Sequence, residues 1–169
     1  MSRTNFPLAG DAVDGWSNTE EATATCFCGA VQLSFPIKGP GLIMTFACHC
    51  ADCHKVCQMA AANFIVGDDS VKYLRGRADL ATFTTGRTTT TGNDMTNYFC
   101  RACGTLMNRV SSGLPGRSIL RTGTVDDFEL QNTVLRPRHE IFTADRASWL
   151  AAIEGAEQHE GRPDWGSKL

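Results

Sequence analysis

Three thiols lie within the six residues Cys48-His49-Cys50-Ala51-Asp52-Cys53, and a fourth follows at Cys57. A buried cysteine serves well as a small hydrophobe, but that role does not call for clustering. Closely spaced thiolates are soft ligands that select zinc or a related metal. Cys48, Cys50 and Cys53 are therefore expected to hold one zinc ion, with a fourth position open as in a catalytic site. Three thiolates on a dication leave a net negative centre, a weak Lewis acid that suits a soft fourth ligand such as a substrate thiol. Cys57 is a candidate fourth ligand. On a helix it would sit one turn beyond Cys53 and close the site into a structural one.

The remaining cysteines form two pairs, Cys26-Phe27-Cys28-Gly29 and Cys100-Arg101-Ala102-Cys103-Gly104. Each reads as a knuckle, two thiols on a tight turn followed by a glycine able to take positive φ. Together Cys26, Cys28, Cys100 and Cys103 make a closed four-thiolate set, the pattern of a structural zinc whose binding energy is also folding energy. Two zinc ions per chain are expected. His49 sits between two ligands, points away if the cysteines point inward, and is a candidate catalytic residue at the entrance. Asp52 and His49 are the nearest candidates for acid or base work. His54 is expected to face solvent and His139 to fill a hydrogen-bonded structural role; His159 is assigned none.

Short strands must position these groups. Alternating or apolar runs predict strands over 30–35, 42–47, 60–66, 71–74, 80–85, 97–99, 106–110 and 118–124, with extended structure near 128–130 and a last strand at 140–143. A short helix is expected from Cys50 to about Met59. A second is expected after Thr143 or Asp145, with Trp149, Leu150 and Ile153 as its apolar stripe and Gly155 as its stop. The polar loop Gly86 to Asp94 holds Thr88 to Thr91, whose threonines favour a partial edge strand. The fold class is mainly β. Residues 1–22 are expected to be a flexible arm with Trp16 as its one large apolar side chain, residues 23–155 the zinc-binding domain, and residues 156–169 a polar surface tail.

Composition narrows the function. Sixteen basic and 18 acidic side chains give a net charge of −2, no footprint for nucleic acid or an anionic membrane. No apolar run is long enough to span a bilayer. The first 21 residues lack the apolar core of a secretory leader, which predicts a cytoplasmic protein. In that compartment eight cysteines are better explained by metal than by disulfides.

The three cysteine segments resemble the glutathione-dependent formaldehyde-activating enzyme family, whose domain the centromere protein V group shares. The matching residues are Cys26-Phe27-Cys28-Gly29-Ala30-Val31, Cys48-His49-Cys50-Ala51-Asp52-Cys53 and Phe99-Cys100-Arg101-Ala102-Cys103-Gly104-Thr105. The resemblance runs over roughly residues 23 to 155. It implies an Mss4-like fold of small antiparallel sheets, a structural zinc on the outer four cysteines, and a catalytic zinc on the inner three. It also implies a carbon–sulfur lyase that joins glutathione to formaldehyde; the expected partner is then a small molecule, glutathione in the first instance. Two alternatives remain: an enzyme of a specialised pathway acting on a non-glutathione substrate, and a non-catalytic zinc-stabilised binding module. Cys57 lies outside the shared pattern.

Overall fold

Phe64, Ile65 and Val66 are consecutive, apolar and buried. A strand sends successive side chains to opposite faces, so such a run requires cover on both sides. A computed structural model, describing residues 10–164, shows how both faces are covered. Phe64 and Val66 join one core with Leu33, Phe35, Met107 and Leu120. Ile65 enters a second core with Phe46, Cys48, Cys53, Ile119 and Ile141. The first core lies between two sheets, and Phe35 meets Phe64 there with ring centroids 4.7 Å apart.

The smaller sheet has the order β1-β2-β5, from β1 (Glu21–Thr25), β2 (Gln32–Pro36) and β5 (Lys72–Arg75). The larger begins with β3 (Leu42–Cys48) and β4 (Ala61–Gly67), and continues through β6 (Leu80–Thr85), β7 (Met95–Cys100), β8 (Leu106–Ser111), β9 (Arg117–Arg121), β10 (His139–Ile141) and β11 (Glu157–His159). Its order is β11-β10-β3-β4-β9-β8-β7-β6. Pairing is antiparallel except that β10 runs parallel to both β3 and β11. The helix α1 (Ala51–Cys57) follows β3 directly. No helix among the described residues is long and apolar enough to cross a membrane.

The mainly-β class and most strand positions agree with the sequence reading; several expectations need correction. The C-terminal helix does not form: residues 143–145 make one 3-10 turn, and Trp149 is 71% exposed. Its three-residue apolar stripe is too short to hold an isolated helix, and a buried carboxylate takes the Ile153 N–H instead. The tail contains β11, which extends the large sheet. The segment near 128–130 is a 3-10 helix, Phe128–Asn132, capped by the Asp127 side chain.

Of the expected flexible arm, residues 1–9 lie outside the described residues. Residues 10–20 are tied to the body: the Asp11 N–H donates to Phe27 O, the Thr23 N–H to Trp16 O, and Arg75 pairs with Asp14. Trp16 is partly buried. Trp165 and Leu169 fall outside the described residues. Thr88 to Thr91 form a turn between β6 and β7 rather than a strand, because the Thr89 hydroxyl pins it to Gly86 O and Asn93 O.

Candidate metal centres

Each outer cysteine pair sits at the tip of a hairpin. Cys26 and Cys28 lie between β1 and β2; Cys100 ends β7, and Cys103 precedes β8. Each turn is closed by the glycine that follows its second cysteine. The Gly29 N–H donates to Cys26 O, the Gly104 N–H donates to Cys100 O, and both glycines are left-handed at φ 76° and 75°. A β-carbon would strain either turn. The knuckles also touch, since the Phe27 N–H donates to the Thr105 hydroxyl over 3.1 Å. The four sulfurs lie within 4.8 Å of one another. Cys26 and Cys28 are 3.6 Å apart, and Cys28 and Cys100 3.7 Å. Zinc–sulfur bonds of about 2.3 Å make a tetrahedron with edges of about 3.8 Å, so the set has the dimensions of a Cys₄ zinc site. The hairpins belong to different sheets, so an ion here would join the two layers.

The inner cysteines converge from the end of β3 and the start of α1. Cys48 pairs with Ala61 on one side and Ile141 on the other. Cys50 caps α1, its sulfur accepting the Cys53 N–H. The Cys48, Cys50 and Cys53 sulfurs lie within 4.8 Å of one another, and Cys57 is not part of that group. Cys57 packs instead in the apolar core beneath α1. The three sulfurs line a cavity of about 300 Å³, small for a ligand site, which Cys57 does not reach.

His49 points the other way. It is buried, and its Nε2–H donates to Glu140 Oε1 over 2.7 Å. It lines no part of the cavity, whereas the sequence reading places it at the entrance. His54 is exposed, and Asp52 reaches the cavity wall from the first turn of α1. The Thr88 to Thr91 turn, with Asn93 and Asp145, forms another part of the wall.

Two buried arginines complete the inner site. Arg109 on β8 places Nη1 3.4 Å from the Cys53 sulfur and lines the cavity. Arg121 on β9 donates to Asn63 Oδ1. Burial pulls Arg121 down, and the Cys57 and Cys53 sulfurs pull it back up. Cys48 and Cys50 donate to Cys53, and with Arg109 and Arg121 nearby they hold its thiol far below the usual range despite burial. Cys48 is pushed the opposite way by its two thiol neighbours and by burial. Were a zinc ion bound to the three thiolates, the centre would be net negative, and the two guanidinium groups stand where they would balance it. The donor set fits zinc.

Nothing in the sequence pattern flags Arg109 or Arg121, because neither lies in a motif with the cysteines and an isolated strand arginine is ordinarily solvent-facing. Arg109→Leu should weaken zinc at the inner cysteines about 10- to 100-fold, the usual scale for groups behind the ligands. Zinc at the Cys₄ set should be unchanged. Chelator competition with both sites loaded measures the two affinities in one experiment.

The chain is similar to a solved structure, the crystal structure of a Rhodobacter sphaeroides protein, at 20% identity and a TM-score of 0.48. That likeness covers 60% of this chain and 85% of that one. No curated protein matches. A family model described as glutathione-dependent formaldehyde-activating enzyme matches residues 21–145.

Proposed function

The chain belongs to the glutathione-dependent formaldehyde-activating enzyme family, and from that premise we propose that it is a zinc-dependent carbon–sulfur lyase-like enzyme acting on a thiol adduct of a small aldehyde or related electrophile. The observation that carries this is the inner cysteine set. Three sulfurs face a cavity, and no fourth Cys, His, Asp or Glu atom joins them among the described residues. Zinc bound there would supply a soft Lewis acid able to take a sulfur or polarise a carbonyl.

The chain's own residues account for the rest. Arg109 and Arg162 line the cavity and can fix the carboxylates of a peptide-like thiol. Asp52 and Asp145, also on the wall, can take the proton that a thiol gives up. Phe46, Ile65, Ile119 and Ile141 keep water from the reacting carbon. That apolar wall also favours a second reading, the same chemistry on a less polar thiol or electrophile than glutathione.

Glutathione followed by formaldehyde, added to the zinc-loaded protein, tests the proposal. Amide shifts confined to Cys48–Cys53 and the cavity wall are expected, with adduct formation faster than the uncatalysed reaction. In Cys50→Ala both should vanish. An unchanged rate in Cys50→Ala, or no shifts with any small thiol, would sink the reading and leave a binding module.

The threonine turn should act on substrate choice. Thr88→Val and Thr90→Val each remove one hydroxyl from the wall and are expected to raise KM about two- to tenfold with kcat nearly constant, the worth of one neutral hydrogen bond. Steady-state kinetics decides. Thr89 is a poor choice for this purpose, since its hydroxyl shapes the turn itself.

A further inference from the structure

His139 on β10 and Glu157 and His159 on β11 have no part in the chemistry above. The parallel register pairs His139 with Glu157 and Ile141 with His159. These side chains therefore share one face of the sheet, while Glu140 and Gln158 meet on the other, 2.8 Å apart. The Nδ1 of His139 lies 3.4 Å from His159 Nε2 and 3.4 Å from Glu157 Oε2. His159 Nε2 is 3.7 Å from Glu157 Oε1. All three ligand atoms fall within 4.8 Å of one another.

We propose that His139, Glu157 and His159 form a third metal site, for a divalent cation of the zinc class. The separations carry the assignment. They exceed the 2.7–3.2 Å at which nitrogen and oxygen share a proton well. They match the tetrahedral edge of about 3.4 Å that metal–nitrogen bonds of about 2.1 Å require. The Cys₄ sulfurs meet the same test at their own longer bond length. Two imidazoles and one carboxylate suit zinc, nickel or copper rather than magnesium or calcium. The histidines are half-buried and Glu157 is exposed, so water can complete the shell.

Such an ion clamps the last strand. β11 is three residues long and sits at the sheet edge. Gln158 on its opposite face holds Glu140, and Glu140 holds His49 between Cys48 and Cys50. The site stands on β10–β11 geometry alone and does not depend on the proposed activity.

Zinc counting on the folded, full-length chain tests it. The chain, with both cysteine sets loaded, is titrated with zinc alone and the ions are counted by native mass spectrometry. Three per chain are expected for the intact protein, and two for His159→Ala and for His139→Ala. The two retained ions certify that each variant is folded. Binding of the third ion should slow exchange of the Glu157 amide, which donates to Arg138 O. Two ions per chain in the intact protein at saturating zinc would overturn the proposal, as would a third that persists in both variants.

Discussion

Cys100→Ser will unfold the chain, whereas Cys50→Ser will leave a folded protein. Both variants delete one thiol from a metal-competent set, so the difference must come from what each set joins. Cys100 closes β7, and with Cys103 it faces the Cys26–Cys28 knuckle of the smaller sheet. Zinc in a structural thiolate site contributes about 10–16 kcal/mol. A domain of this kind is stable by only about 5–15 kcal/mol in total. Losing one of four ligands therefore forfeits an amount comparable with the whole stability, and the two sheets lose their link at that end.

Cys50 caps a seven-residue helix over a cavity, and its neighbours Phe46, Ile65 and Ile119 hold one another in an apolar cluster within a single sheet layer. A cap alone is worth about 1 kcal/mol. Circular dichroism with zinc counting distinguishes the two variants: no cooperative transition in Cys100→Ser, and a cooperative transition with one cysteine-held zinc in Cys50→Ser. Equal stability in the two would show that the outer set does not organise the fold.

Glu140→Ala should destabilise the protein by about 1–3 kcal/mol for each buried donor it leaves unmatched, and Glu140 holds the His49 ring, the Ile153 N–H and the Gln158 amide. Glu140 is fully buried. Burial alone would push its carboxyl up, but the Ile153 N–H, Gln158, His49 and Arg146 all direct protons at it and bring it down to about 2 from an ordinary 4.5. A lowered carboxyl contributes stability above its unfolded value and loses it as pH falls through the folded one. That contribution, about 3 kcal/mol, is complete above about pH 4.5 and fades toward pH 2.

Glu140→Gln, which keeps the shape and loses the charge, should be less stable than the parent at neutral pH. The gap should narrow through that acid interval. Urea denaturation at several pH values measures this, and a gap independent of pH would remove the electrostatic account. Because His49 lies between two cysteine ligands, Glu140→Ala should also weaken zinc at the inner set about 10- to 100-fold.

The cysteine spacing made both metal sets legible before any fold was known. Ligands of one ion must be brought to within a few ångströms, and knuckles achieve this locally through Gly29 and Gly104. The strands were legible because alternation and β-branched runs report directly on a half-buried sheet. The segment after Thr143 misled for the opposite reason. Its stripe of Trp149, Leu150 and Ile153 has helical spacing, but a short helix needs tertiary contacts, and Glu140 gives those backbone donors another partner.

The sequence by itself determined the two cysteine groups that can bind metal, and that a mainly-β chain carries them. Only the tertiary structure decided that Cys57 stays out of the inner set, that His49 turns to Glu140, and that Arg109 and Arg121 balance the thiolates. It also decided that His139 meets Glu157 and His159. Each of these depends on strand order and on which face of a sheet a residue takes. Period-two alternation offers two faces, and the register that chooses between them is fixed by partners far away in the chain.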